Sequence, residues 1–124
     1  MTEYVELHCH SYYSLLDGAS SPEDLVARAA VLGMPALALT DHDAVYGAAR
    51  FARAAEALGV QPILGAELTT TAGHLTLLVE DVQGWRNLCT LISLARAGQP
   101  KGRALLDEAL LDGRTAGLIA LSGC

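Results

Sequence analysis

The sequence predicts an α/β fold organised around a parallel sheet or barrel, and three observations carry that prediction. Short apolar runs alternate with segments of helical period, Leu-Gly closes two successive helical segments at Leu32-Gly33 and Leu58-Gly59, and acids and histidines gather where the apolar runs end. The 124 residues are 52% apolar and 18% charged, with a mean hydropathy of +0.32. That composition excludes intrinsic disorder and sets the size at one domain or less.

Tyr4 to His10 alternates in period two and reads as the first strand. Ser20-Ser21-Pro22-Glu23-Asp24 then offers a serine N-cap, proline at the first helical position and two acids at the positive end of the helix dipole. Leu25, Val26, Ala29 and Leu32 follow at helical spacing until Gly33. Ala36-Leu37-Ala38-Leu39 reads as a buried parallel strand whose polar tip, Thr40-Asp41-His42-Asp43, emerges at one rim. The next helix runs from Val45 or Tyr46 to Leu58, and Pro62 to Glu67 is a small apolar strand ending in an acid. Thr69 to Gly73 reads as a turn, His74 to Val79 as a fourth strand, and Trp85 to Ala97 as a helix with Leu88, Leu91, Ile92 and Ala95 on one face. After a loop at Gly98 to Gly102 come a short helix over Ala104 to Leu111 and a fifth strand, Gly117 to Leu121, whose open edge invites self-association.

Eight Lys and Arg against fourteen Asp and Glu give a formal charge of −6, with no basic cluster anywhere. A domain that grips nucleic acid by itself through phosphate neutralisation is therefore disfavoured. Cys9, Cys89 and Cys124 are too few and too scattered for a disulfide scaffold, which fits a reducing, cytoplasmic setting. The most apolar stretch, Ala29 to Leu39, is short and broken by Gly33 and Pro35, and no basic n-region opens the chain, so neither a membrane span nor a signal peptide is expected.

His8 and His10 sit at i and i+2, so a strand would point both imidazoles to one face and offer one ion two ligands. Asp41, His42 and Asp43 follow the second strand and Glu67 ends the third, at the rim where α/β folds carry their sites. An acid after a strand is commonly a helix cap, and that is the reading for Asp43. His74 begins a strand, but a reversal over Thr71 to His74 would return it to the same rim. Cys124 could add a thiolate. Nitrogen, carboxylate and thiolate donors in this mixture suit zinc, manganese or iron better than calcium. The candidates exceed the needs of one tetrahedral ion, so two or three metals bridged by Glu67 are expected, an arrangement that serves phosphoryl transfer through metal-activated water. Glu67, His42 and Asp41 are the candidate catalytic groups.

Glu6-Leu7-His8-Cys9-His10-Ser11, Leu15-Leu16-Asp17-Gly18-Ala19, Leu39-Thr40-Asp41-His42-Asp43 with Gly47, Gly65-Ala66-Glu67, His74-Leu75-Thr76-Leu77-Leu78 and Leu121-Ser122-Gly123-Cys124 together resemble the PHP (polymerase and histidinol phosphatase) domain of bacterial DNA polymerase III alpha subunits. The resemblance runs from Tyr4 to Cys124, and Ala19 to Leu25 with Arg50-Phe51-Ala52 is worded most like the error-prone paralogue. It implies a distorted seven-stranded β/α barrel, of which residues 1–124 would be the amino-terminal part with about five strands. It also implies a trinuclear site with His8, His10, Asp17, His42, Glu67, His74 and Cys124 at ligand positions. Asp17 enters only through the resemblance, since Asp17-Gly18 alone reads as a turn, and Asp41 is then a supporting or capping residue. The implied activity is metal-dependent 3′–5′ exonuclease or phosphoesterase chemistry, with the rest of a polymerase chain, and DNA through it, as partners. Two rivals remain: a metal-stapled module without turnover, and a phosphatase of small molecules.

Overall fold

The computed structural model describes residues 3–123. Ser21 caps helix α1 (Pro22–Val31), its hydroxyl accepting from the Asp24 amide, and Pro22 occupies the first turn. Strand β1 (Ala36–Leu39) leads to α2 (Ala48–Leu58), which begins at Gly47, later than its sequence suggests, and stops at left-handed Gly59. Strand β2 (Gln61–Thr70) turns directly into β3 (Gly73–Val79). Asp81 caps α3 (Val82–Arg96), and a 3-10 turn (Glu108–Leu111) precedes β4 (Leu118–Leu121).

The sheet has the order β1-β2-β3-β4. Only β1 and β2 are parallel, whereas β2 with β3 and β3 with β4 are antiparallel, so the expected parallel sheet is a mixed one. The cause is local. Thr70 pairs with Gly73 across a two-residue turn, and the Thr70 hydroxyl fastens that turn by donating to the Gly73 carbonyl at 2.7 Å and accepting from the Ala72 amide at 3.2 Å. A two-residue turn permits only an antiparallel partner.

The first segment is not a regular strand. It runs beside β1 through a Glu6–Leu37 bridge, but the Thr40 hydroxyl takes the Cys9 amide that a ladder would use, at 3.0 Å. The expected helix over Ala104 to Leu111 is likewise shorter, because Leu106 is fully buried and bridges Thr70 as extended chain.

Two apolar clusters flank the sheet. Val26, Ala29, Leu37, Leu39, Phe51, Ala55 and Val60 join α1 and α2 to β1. Ala66, Leu68, Leu77, Leu88, Leu91, Ala95 and Leu106 join α3 to β2 and β3. Successive side chains on a strand alternate faces, so burying Ala66 and Leu68 against α3 turns Glu67 to the opposite face.

Candidate metal centre

Glu67 is the hub. Its side chain is 3% exposed and four imidazoles surround it. The His8 Nε2 and His10 Nε2 atoms lie 2.6 and 3.8 Å from Oε1, while His42 Nδ1 and His74 Nδ1 lie 2.7 and 3.3 Å from Oε2. Each ring reaches the hub by a different route. His42 is bridged to Glu67 in the register that already pairs β1 with β2, at the tip of the ladder. His74 pairs with Thr69 and Thr76 with Glu67, so the hairpin sets His74 diagonally across from the carboxylate. His8 and His10 come from the segment beside β1.

Asp17 completes the arrangement from the loop after His10. Its Oδ2 contacts His10 Nδ1 at 2.8 Å and His42 Nε2 at 2.7 Å. Those hydrogen bonds, His42 first and His10 next, hold its carboxyl below the usual carboxylate range. Two triads result, His8–His10–Glu67 and His10–Asp17–His42, each with donor atoms within 4.8 Å of one another. Among the described residues, His10 Nε2 and Glu67 Oε2 are buried without a well-aligned hydrogen bond, although His42 Nδ1 stands 2.7 Å from that oxygen. Buried polar atoms are normally satisfied, and a nitrogen lone pair facing a carboxylate oxygen is what a divalent cation would satisfy. The donor set therefore fits a metal. His8, His10, Asp17, His42, Glu67 and His74 all meet here, and Cys124 lies outside the described residues.

The structure revises two acids. Asp41, a catalytic candidate by sequence, is 1% exposed and turned away from the imidazoles. It accepts from the Ser11 amide at 2.7 Å, the Ser11 hydroxyl at 2.8 Å and the Ser14 hydroxyl at 2.7 Å. With its oxygens so occupied it anchors the loop that carries Asp17. Asp43 does not cap α2, because its carboxylate accepts from the Thr69 amide and hydroxyl, both at 2.7 Å, and so ties the β1 tip to β2. Cys9 is no competing ligand, since its thiol packs against the first apolar cluster. Burial first, then Glu6 and Asp41, pushes that thiol up to about 11.

Sequence reasoning missed the outer brace of the loop. Arg50 makes a two-pronged ion pair with Glu23, at 2.7 and 2.9 Å, and donates to the Tyr12 and Tyr13 hydroxyls at 2.7 and 2.9 Å. No spacing in the sequence announces this contact, which joins α1, α2 and the loop. Gly18 closes the same loop, since a Cβ there would meet the Ser11 carbonyl oxygen at 2.0 Å.

Similarity to known proteins points the same way. The sequence profile of the PHP domain matches residues 6–124. An error-prone DNA polymerase of Symbiobacterium thermophilum is 50% identical over 98% of this chain and 13% of its own length. A DNA polymerase III subunit alpha of Chlamydia pneumoniae is 43% identical over 98% of this chain and 11% of its own length. The chain thus spans roughly an eighth of such relatives. A solved structure described as a candidate metal-dependent phosphoesterase, from Bifidobacterium adolescentis, superposes with a TM-score of 0.64 at 28% identity, over 78% of this chain and 34% of that one. An amidohydrolase of Chromobacterium violaceum, solved with bound sulfate and no metal, gives 0.63 at 33% identity over 76% and 34%.

Proposed function

Because the chain belongs to the PHP domain family, we propose that it forms the first part of a metal-dependent phosphodiesterase module in an error-prone type DNA polymerase III alpha subunit. The module removes nucleotides in the manner of a 3′–5′ exonuclease, in the cytoplasm. The observation that carries this reading is the buried Glu67 carboxylate ringed by four imidazoles with two buried atoms lacking a well-aligned hydrogen bond. Two or three ions of zinc, manganese or iron, held by His8, His10, Asp17, His42, Glu67, His74 and Cys124, would polarise a phosphoryl oxygen and activate a water. Glu67 spans the ligand groups and fixes their spacing. Asp17 and His42 hold the outer side, where substrate arrives. Asp41 keeps the Asp17 loop in register.

Further strands of a seven-stranded barrel come from sequence beyond these residues, in line with structural neighbours more than twice as long. The β4 edge, where Ile119 and Ala120 are exposed, is covered by that sequence or, without it, by a second copy. DNA is delivered by other parts of the polymerase, consistent with the −6 charge of this piece.

The test uses the full polypeptide carrying this sequence. Elemental analysis should find at least two divalent ions per chain, and chelation should abolish release of 3′-terminal nucleotides. Glu67→Gln, or His8→Ala with His10→Ala, should lower bound metal and hydrolysis by at least the 10–100-fold typical of disturbing a metal shell. Fewer than two ions, or hydrolysis indifferent to these changes, overturns the proposal. Because the ligands join distant segments of the chain, a stapling role is the second reading, and it predicts full metal occupancy with no chelator-sensitive hydrolysis.

A further inference from the structure

One cavity of about 270 Å³ abuts the candidate metal centre, and His42 lines both. Its other walls include Tyr13, Leu15, Tyr46, Arg96 and Ala104. None of these belongs to the ligand set, and their chemistry is of another kind.

Arg96 is held from below. Its Nε and Nη2 atoms donate to the Asp43 carbonyl at 3.0 and 2.7 Å, and Asp43 presents that carbonyl from a left-handed backbone, φ 49°. A non-glycine residue rarely adopts this conformation, and here the Thr69 contacts to the Asp43 side chain secure it. Among the described residues Nη1 of Arg96 has no hydrogen-bond partner, so a cation fixed on two of its nitrogens keeps donors free beside the cavity. A planar guanidinium presented in this way suits a phosphate oxygen.

Ser14 and His42 add polar groups to the lining, and Tyr46 and Leu15 add exposed aromatic and aliphatic surface. Tyr46 is 64% exposed, with its ring 5.8 Å from the Arg96 carbon on one side and edge-on to Tyr13 at 6.3 Å on another. Leu15 is 83% exposed at the tip of the Asp17 loop. Exposed aromatic and aliphatic surface beside a phosphate-binding cation is the combination that stacks a base and holds its backbone. The volume of about 270 Å³ falls just under the roughly 300–1,000 Å³ of small-molecule pockets, the scale of a single nucleotide.

We infer that this cavity is the subsite of the nucleotide being removed, with its base against Tyr46 and Leu15 and its phosphate between Arg96 and the metal cluster. The inference deepens the proposed phosphodiesterase reading and rests on it. It assigns Arg96, Tyr46 and Leu15 to the binding of a nucleoside monophosphate unit, which a site for inorganic phosphate or simple phosphate esters would not need.

The full polypeptide is irradiated with 5-iodo-2′-deoxyuridine 5′-monophosphate, with chelator and separately with zinc, and cross-linked tryptic peptides are identified. The expected product is residues 29–50 modified at Tyr46, under both conditions. Excess thymidine 5′-monophosphate should suppress it, and inorganic phosphate at equal concentration should not. Arg96→Gln, and separately Leu15→Asp at an exposed position that does not disturb folding, should each lower the yield by about tenfold, the loss expected from removing a phosphate or stacking contact. Absence of this peptide, or a yield indifferent to both variants, overturns the inference. A protein that cross-links but takes up no metal would overturn the metal reading and leave the subsite standing. One that takes up metal but does not cross-link would do the reverse.

Discussion

Asp41 illustrates what one buried side chain decides. Three donors from Ser11 and Ser14 converge on it, and the Ser14 hydroxyl also accepts from the His42 amide at 3.0 Å. Removing the acceptor leaves buried donors unsatisfied, so Asp41→Ala should cost about 2–3 kcal/mol of local stability and weaken metal uptake without touching a ligand. Metal titration of the variant checks this, and unchanged affinity would show that the Asp17 loop holds itself. Glu23 gives a pH-dependent counterpart. Its hydrogen bonds from Arg50 lower its carboxyl titration, so the contribution is present above the ordinary Glu value of about 4.3 and is lost as pH falls through the lower folded value. Glu23→Gln should therefore lower the melting temperature slightly at pH 7 and progressively less as the pH falls below the ordinary Glu value, and a difference undiminished in acid would remove the ion pair as its cause. The ligand types were readable from the sequence because His-x-His and acids after apolar runs carry their chemistry in their spacing. The roles of Asp41 and Asp43 were not, because an acid at a strand tip looks the same whether it faces a metal, a helix end or two serines.

At the scale of elements, the hairpin does what the helices cannot. It carries Glu67 and His74 on adjacent strands, and Gly65 lets those strands come close: a Cβ there would stand 2.4 Å from the Leu77 carbonyl oxygen. That atom is backbone and cannot step aside cheaply. Gly65→Ala should cost about 1–3 kcal/mol by overpacking and shift His74 away from Glu67. Thermal unfolding with metal titration would read both effects, and a variant of unchanged stability would mean that the sheet accommodates the methyl by sliding. Helices α1 and α3 could be located from sequence because apolar spacing, proline and glycine mark their bodies and ends. The strand directions are only partly legible: the hairpin bears out the reversal over Thr71 to His74, but nothing in the sequence announces the antiparallel β4. Thr71-Ala72 lacks the Asn-Gly or Gly-Gly signature of a tight hairpin, and Thr70 supplies in its side chain what the turn residues do not. Leu106 reads as helix in the sequence because an apolar residue in a short segment fits either period, and only its bridge to Thr70 decides.

For the whole molecule the candidate centre is a junction. The segment of His8 and His10, the Asp17 loop, the β1 tip and the β2–β3 hairpin meet there, while the two apolar clusters each serve one side: α1 and α2 with β1, or α3 with β2 and β3. Apolar burial thus stabilises each side separately, and the centre is where they couple through charge and coordination. Metal should accordingly protect the junction more than the cores. A ligand bound only by the folded arrangement adds about 4 kcal/mol at roughly 1,000 times its dissociation constant, equivalent to about a 10³-fold slowing of exchange through local opening. Hydrogen exchange of the full polypeptide with zinc and with chelator should show that slowing at the amides of Ser11, Asp43 and Glu67, whose bonds run to Asp41, to Glu67 and to the β1 tip. The amide of Phe51, inside the first cluster, should change little, because its bond to the Gly47 carbonyl lies within α2. Equal protection at the junction with and without zinc would show that the imidazoles and Glu67 satisfy one another unaided. Protection at the junction without chelator-sensitive hydrolysis would transfer the centre from catalysis to holding the two sides of the sheet together.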